Sequence, residues 1–209
     1  MHFDNYVSFL KNRMNHLPGE AAHMKMAPLG RKPLKDYKSM AVEYRDGSVL
    51  AHIFPIDNEP YLTFIRRIDD GKAHSGQIAF PGGKKDATDI DLFETAVREA
   101  FEEIGLLRKE INLIGSLSNL YIPVSRYMVQ PFISFGLNQP DFIINKDEVQ
   151  EVIPLRIKDL SNPEIISTKQ IKTFEGIIRD VPCFVLNDIT IWGATAMMVS
   201  EILDLGIVD

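Results

Sequence analysis

The sequence predicts an α/β fold, an α/β/α sandwich around a mixed sheet with one added helix at the N-terminus. Three patterns support this prediction: helical apolar spacing at the start, short β-rich runs through the middle, and helical segments within and after those runs. Elements in this order can bury apolar faces on both sides of a sheet. At 209 residues, with 45% hydrophobic residues, the chain is long enough for one domain with a sizeable core.

The first predicted element is an amphipathic helix that packs on the main body. Its apolar residues recur at helical spacing: Phe3, Tyr6, Val7, Leu10 and Met14. The turn Leu17-Pro18-Gly19 ends it, and the polar, proline-bearing residues up to about Lys38 are expected to be irregular. We therefore predict a single domain over residues 1–209, in which 1–37 form an extension and about 38–209 form the core.

The strands are predicted from β-rich runs bounded by turn residues. In chain order these runs are 48–54, 61–65, 77–80, 111–117, 128–135 and 148–155. A helix over 94–104 lies among them, and a helix over 193–205 closes the chain. The single cysteine, Cys183, lies in an apolar run and is expected to be a buried strand thiol rather than a nucleophile.

The charge balance excludes some classes of partner. A net charge of −6 and the lack of a dense basic tract argue against a general binder of nucleic acid or anionic membranes. The N-terminus shows no signal-peptide pattern, and no apolar run reaches membrane-spanning length, so we expect a cytoplasmic protein. An anionic substrate must then be bound by a local cluster of cations. A homodimer is left open.

The predicted helix over 94–104 places three carboxylates on one stripe. With Glu99 at zero, Glu103 lies near +40° and Glu102 near −60° on a wheel of about 100° per residue. The opposite arc is apolar and is expected to face the core; it carries Val97, Ala100, Phe101 and Ile104.

Like charges at i,i+4 cost an isolated helix about 0.2–0.5 kcal/mol per pair. A sequence that keeps them beside the turn Pro81-Gly82-Gly83 is suited to holding a hard divalent cation. The alternative is a solvated face with ordinary charge pairs running from Glu94 through Arg98 to Glu102.

This stretch resembles the Nudix box, which is a glycine, five residues, an acid, a spacer, and then Arg-Glu-x-x-Glu-Glu-x-Gly-hydrophobic. The matching residues are Gly83, Arg98, Glu99, Glu102, Glu103, Gly105 and Leu106. The chain departs from the pattern in two ways: Asp89 stands where the family usually has glutamate, and the spacer before Arg98 is one residue longer. Both departures fall outside the carboxylate cluster.

The resemblance implies the Nudix sandwich fold and metal-assisted hydrolysis of a diphosphate in a small molecule. Mg²⁺ or Mn²⁺ would be held by Glu99, Glu102, Glu103 and the carbonyl of Gly83 or a neighbour. Arg98 would orient a carboxylate such as Glu102, and Glu148 is the candidate for an assisting acid. The alternative for Glu148 is an exposed charge at the start of a strand.

The residues upstream of the box resemble the signature of Nudix enzymes that cleave coenzyme A. The matching residues are Arg66, Gly76, Phe80, Pro81, Gly82 and Gly83, with Lys72 where the signature has arginine. Farther on, Ile191-Trp192-Gly193-Ala194-Thr195-Ala196 resembles the start of the closing helix in that subfamily. The resemblance spans most of residues 40–205.

Coenzyme A carries a diphosphate and an extra ribose phosphate, so it needs several cationic contacts. The candidate substrate-binding residues are Arg66, Arg67, Lys72, His74, Gly82 and Gly83. The alternative is that the arginines are surface charges at a strand end and His74 is a structural hydrogen-bond donor.

Three functions are compatible with these residues. The first is cleavage of coenzyme A to 3′-phosphoadenosine 5′-phosphate and phosphopantetheine. The second is hydrolysis of another nucleoside diphosphate derivative, such as ADP-ribose or a dinucleotide. The third is a ligand-binding Nudix module without turnover. Such a module is expected to lose box carboxylates, whereas Glu99, Glu102 and Glu103 are present.

Overall fold

The computed structural model describes residues 1–40, 43–71, 74–172, 176 and 178–206. The helices are α1 Phe3–Arg13, α2 Glu20–Lys25, α3 Leu34–Ser39, α4 Leu92–Ile104, α5 Ile157–Leu160 and α6 Gly193–Asp204. The strands are β1 Arg45–Ile56, β2 Glu59–Arg67, β3 Ile78–Ala79, β4 Gly82–Lys84, β5 Asn112–Ser116, β6 Leu120–Ile122, β7 Tyr127–Phe135, β8 Val149–Arg156, β9 Ile166–Lys172, β10 Ile178–Leu186 and β11 Ile189–Trp192. No helix within these residues is long and apolar enough to cross a membrane.

A mixed sheet forms the centre of the fold, in the order β3-β2-β1-β7-β5. Strands β1 and β7 run parallel, whereas β1 and β2 form an antiparallel hairpin. Asp57 and Asn58 connect that hairpin with φ angles of 48° and 62°, as a tight two-residue turn requires. Strands β8, β6 and β4 pair beside β2, β7 and β1, respectively. The mixed sheet predicted from the sequence is confirmed.

Helices cover both faces of this sheet. On one face, α4 packs its apolar arc against Leu50 of β1 and Ile65 of β2. On the other face, α1 and α6 share one apolar cluster with Ala51 and Phe64. The sandwich and the added N-terminal helix therefore agree with the predicted fold class, because each sheet face needs an apolar cover.

The predicted core arc of α4 is wrong at one residue. Val97, Ala100 and Ile104 are buried, but Phe101 is 53% exposed. Phe101 lies at the far edge of the arc, near 200° from Glu99 by the wheel, and the sheet contacts only the part of the arc closer to Ala100. The helix begins two residues earlier than predicted, because Asp91 caps it by accepting a hydrogen bond from the Glu94 amide at 2.9 Å.

The structure also corrects the expectation that the residues from the turn at Leu17-Pro18-Gly19 to about Lys38 are irregular. They contain α2 and the start of α3, and Ala22 of α2 is completely buried. A second antiparallel sheet, β9-β10-β11, was not predicted as a unit, although the apolar run around Cys183 was expected to be strand-like. Strand β9 is almost entirely exposed, so its sequence shows no alternation of apolar and polar residues.

Candidate active site

Two glycines bring β4 into direct contact with β1 and α4. Gly82 has a φ of 151°, and a Cβ on it would lie 2.2 Å from the Ser48 carbonyl oxygen. A Cβ on Gly83 would lie 2.5 Å from Cδ of Glu99. A larger residue at Gly82 would displace the strand, because the clash is with the backbone, whereas a larger residue at Gly83 would push the Glu99 carboxylate away. The backbone of the predicted glycine turn therefore lies against the carboxylate of Glu99.

Glu103 lies at the centre of this arrangement and is only 1% exposed. Its carboxylate accepts a hydrogen bond from the Gly82 amide at 2.9 Å and one from Nη1 of Arg67 at 3.2 Å. Burial raises the pKa of Glu103 to about 7, and the nearby charges of Glu99 and Glu148 add to this rise. The two hydrogen bonds oppose the rise without cancelling it. Glu103 is therefore a buried carboxylate with too little positive charge around it.

Glu99 has the same character in a weaker form. Burial raises its pKa, the charges of Glu102 and Glu148 add to the rise, and the ion pair with Arg98 opposes it. The distance between Nη1 of Arg98 and Oε1 of Glu99 is 3.0 Å. Glu148, the late acid predicted from the sequence, lines the same cavity as Glu99 and Glu103, and its charge raises the pKa of both.

Arg98 connects the acids at the outer side of the helix. It donates to Asp89 through Nε at 2.9 Å and Nη2 at 3.0 Å, and to Glu102 through Nη1 at 2.9 Å. These bonds hold the pKa of Asp89 well below its usual range. A further hydrogen bond reaches the carbonyl oxygen of Lys84 in β4 at 3.0 Å. Arg98 thus fixes α4 relative to the glycine strand, and the Glu102 side chain is about half exposed (49%).

A cavity of about 720 Å³ opens in front of these carboxylates. The structure brings together on its wall these residues predicted from the sequence: Arg67, His74, Gly82, Gly83, Glu99, Glu103 and Glu148. The described residues that line the cavity do not include three other candidates, Arg66, Arg98 and Glu102. Nε of Arg66 instead lies 2.6 Å from Oε1 of Glu151. Lys72 lies outside the described residues.

His74 lies at the same cavity in a left-handed backbone conformation, with a φ of 70°. The distance between its Nδ1 and Oε1 of Gln77 is 3.2 Å. Burial lowers the pKa of His74, and the charge of Arg67 lowers it further, whereas the hydrogen bond with Gln77 opposes the change. His74 is therefore a neutral hydrogen-bonding group at neutral pH rather than a cation.

Sequence reasoning missed the residues that form the other walls of the cavity. They come from the N-terminal extension, the loop after β6, the second sheet and the start of α6; among them are Leu29, Arg31, Tyr37, Val124, Arg179, Trp192 and Met198. The resemblance had singled out Trp192 as part of a motif, but without a role. No spacing pattern connects these segments with the box, because they approach it only in the folded chain.

The oxygen donors at the carboxylate wall fit a hard divalent cation. Glu99 and Glu103 are held close to the Gly83 backbone, and both have a raised pKa that a cation would lower. Within the described ranges, no three His, Cys, Asp or Glu side chains converge as a ready-made cage. A site for Mg²⁺ commonly uses only one or two carboxylates, with substrate phosphates and water completing the shell. The donor set meets that requirement.

Comparison with known proteins agrees with this geometry. A family model described as the NUDIX domain matches residues 46–174. The "Uncharacterized Nudix hydrolase NudL" of Yersinia pestis is 32% identical over 144 residues, which are 69% of this chain and 71% of that protein. Its counterpart from Pectobacterium atrosepticum is 38% identical over 100 residues, which are 48% of this chain and about half (52%) of that protein.

A solved structure supports the fold alone. The MutT/nudix family protein from Enterococcus faecalis superposes with a TM-score of 0.54 at 14% identity, over 83% of this chain and 69% of that one. The family match covers β1, the glycine strand and α4, which together carry Gly83, Glu99 and Glu103. The chain is a member of the Nudix family and is related to Nudix hydrolases.

Proposed function

We propose that this protein hydrolyses the diphosphate of coenzyme A or one of its derivatives, giving 3′-phosphoadenosine 5′-phosphate and phosphopantetheine. The observation that carries the proposal is the grouping of Glu99, Glu103 and Glu148 on one wall of a cavity of about 720 Å³. That volume lies in the upper part of the range for small-molecule sites, roughly 300–1,000 Å³. The signature upstream of the box favours coenzyme A over a smaller nucleotide.

The proposed cofactor is Mg²⁺ or Mn²⁺, held by Glu99 and Glu103 with backbone oxygen from Gly83 or a neighbour. When bound, such a cation neutralises diphosphate oxygens and lowers the pKa of a water molecule. Glu102 is assigned a supporting role instead of a place at the cavity wall, because it pairs with Arg98 at 2.9 Å. Arg98 in turn keeps α4 against β4, so that Glu99 stays over Gly83.

The chain's own groups supply orientation and proton transfer. Arg67 donates to Glu103 and lines the cavity, where it can also contact a phosphate oxygen. Glu148 is the proposed acceptor for the proton of the attacking water, because it faces the same cavity as Glu99 and Glu103. His74 is proposed to bind substrate as a neutral hydrogen-bonding group.

A substrate panel tests this proposal. Coenzyme A, an acyl-coenzyme A, ADP-ribose and NADH are compared for kcat/KM with Mg²⁺ and with Mn²⁺. We expect coenzyme A or its acyl derivative to be cleaved with the highest kcat/KM. Faster hydrolysis of ADP-ribose would favour the second function. Binding of these compounds without turnover in either metal would favour a ligand-binding module.

A further inference from the structure

Arg31 is a cation of the cavity wall that no motif of the sequence singles out. It belongs to the N-terminal extension, outside the residues that match the family model, and it lines the same cavity as Glu99 and Glu103. Its Nη2 donates to the carbonyl oxygen of Tyr121 at 2.5 Å, and its guanidinium carbon lies 6.0 Å from the centre of the Tyr37 ring. Tyr37 itself packs on Tyr121 at 4.8 Å between ring centres.

The charge of Arg31 is incompletely compensated. The side chain forms no ion pair within 4.0 Å in the part of the chain that the structure describes. Burial lowers the pKa of Arg31, while electrostatic interactions with Tyr37 and Glu20 oppose that effect. A guanidinium stays protonated at neutral pH, so a bound anion would offset the free-energy cost of partly burying its charge.

The other cations of the cavity differ from Arg31. Arg67 already pairs with buried Glu103 at 3.2 Å. Lys84 and Arg179 are exposed to solvent, which screens their charges. Arg31 is partly buried and, unlike Arg67, has no carboxylate partner among the described residues. Most of its guanidinium N–H donors are available, and their planar arrangement suits the oxygens of a phosphate.

We infer that Arg31 binds the phosphate monoester on the ribose of the substrate, away from the diphosphate that is cleaved. This inference rests on the proposed function, since coenzyme A carries such a phosphate. Arg66, a candidate substrate-binding residue from the sequence, instead pairs with Glu151. Tyr37 and the Tyr121 carbonyl hold the guanidinium in place, so its planar donors are oriented before the ligand arrives.

Equilibrium binding tests the inference without requiring turnover. The probes are 3′-phosphoadenosine 5′-phosphate and adenosine 5′-phosphate, which differ only in the extra phosphate, titrated at one fixed salt and Mg²⁺ concentration. A charge-assisted contact predicts that the wild type binds the former at least about 10-fold more tightly. We expect Arg31→Gln to remove most of this preference and Arg31→Lys, which keeps the charge and loses the fork, to retain part of it.

Arg45→Gln is the matched control. Arg45 also donates to a backbone carbonyl, that of Ser125 at 3.0 Å, and lies 4.6 Å from the Tyr127 ring, but it does not line the cavity. Arg45→Gln removes the same charge as Arg31→Gln and should leave the preference for 3′-phosphoadenosine 5′-phosphate intact. Thermal unfolding shows whether each variant is folded. If Arg31→Gln is not folded, the binding preference of Arg31→Lys is the test.

The inference would be overturned by equal binding of the two probes by the wild type, by an unchanged preference in a folded Arg31 variant, or by an equal loss of preference in Arg45→Gln. Loss of the preference in Lys72→Gln but not in the Arg31 variants would overturn it as well. Failure of the proposed function gives a different result: coenzyme A is not cleaved, whatever the binding preference.

Discussion

Among the residues that the structure describes, two glutamates are almost completely buried, and they differ in how their charges are compensated. Glu103 in α4 is 1% exposed and Glu201 in α6 is 0% exposed. Burial raises the pKa of Glu103 to about 7. Burial also raises the pKa of Glu201, but hydrogen bonds from His23 and Ser118 outweigh it, so the net pKa lies below the ordinary value.

The difference follows from the donors around each carboxylate. Glu201 accepts from the amides of Gly19 and Ser118, each at 3.2 Å, and lies 2.8 Å from Nε2 of His23. It thereby connects α2 and the loop after β5 to α6. Glu103 accepts from one amide and from Arg67, and faces the charges of Glu99 and Glu148.

Glu201 is therefore a structural carboxylate, whereas Glu103 has the surroundings expected of the proposed cation site. A buried charge with a full set of donors stabilises the fold and has no capacity for a further cation. A buried charge that shares its surroundings with like charges weakens the fold, and a divalent cation would relieve it.

The largest expected effect is loss of stability on replacing Glu201. Glu201→Ala leaves His23 and two backbone amides without their acceptor in the interior. We expect the free energy of unfolding to fall by about 3–5 kcal/mol, as for other broken buried pairs. Urea unfolding measures it, and Glu201→Gln, which keeps part of the hydrogen bonding, should lose less. A change below about 1 kcal/mol in Glu201→Ala would contradict the structural role.

Replacing Glu103 should reverse this pattern. Glu103→Gln removes a carboxylate proposed to hold the cation, so kcat should fall by at least about 10²-fold, the scale of losing one major electrostatic stabiliser. Thermal stability without metal should hold or rise, because repulsion with Glu99 is relieved. Glu94→Gln changes a partly exposed acid of the same helix that does not line the cavity, and it should leave kcat largely unchanged. Near-normal, metal-dependent activity in Glu103→Gln would exclude this helix as the active site.

A third prediction concerns Asp89, a carboxylate that is well compensated by Arg98 of α4. Its folded-state pKa is depressed, so its contribution is fully present above the unfolded value of about 3.9 and is lost as pH falls below it. Asp89→Asn should lower the free energy of unfolding by about 1.5–3 kcal/mol at pH 7. The gap between wild type and variant should shrink from pH 5 to pH 3; a gap that widens on acidification would show the sign to be wrong.

The smallest effect is expected at Cys183, which is buried with its thiol 3.5 Å from the Ser167 carbonyl oxygen. Burial raises the pKa of this thiol, so it is a poor nucleophile at neutral pH. Cys183→Ala should cost about 1 kcal/mol through lost packing and leave kcat unchanged. Loss of activity in a variant that unfolds like the wild type would give the thiol a role in the chemistry.

Sequence reasoning performed best where one residue's role follows from its neighbours in the chain. Helix α4 was predicted within two residues of its start and at its observed end, since its apolar spacing and its C-cap Gly105 are local signals. The same reasoning failed for α2, whose proline-rich surroundings gave no helical period, although packing on α6 makes it helical. Phe101 was predicted as core and is exposed, because a helical wheel does not say how wide the contact with the sheet is.

The sequence by itself determined the family, the carboxylate stripe of α4 and the glycines beside it, because these are short-range features of one segment. Only the tertiary structure decided between Arg66 and Arg67. Adjacent residues of a strand point to opposite faces, and pairing with β8 turned Arg66 toward Glu151 while Arg67 reached Glu103. It likewise brought Arg31 to the cavity wall, because a contact between segments distant in the chain depends on how the sheet and helices pack together.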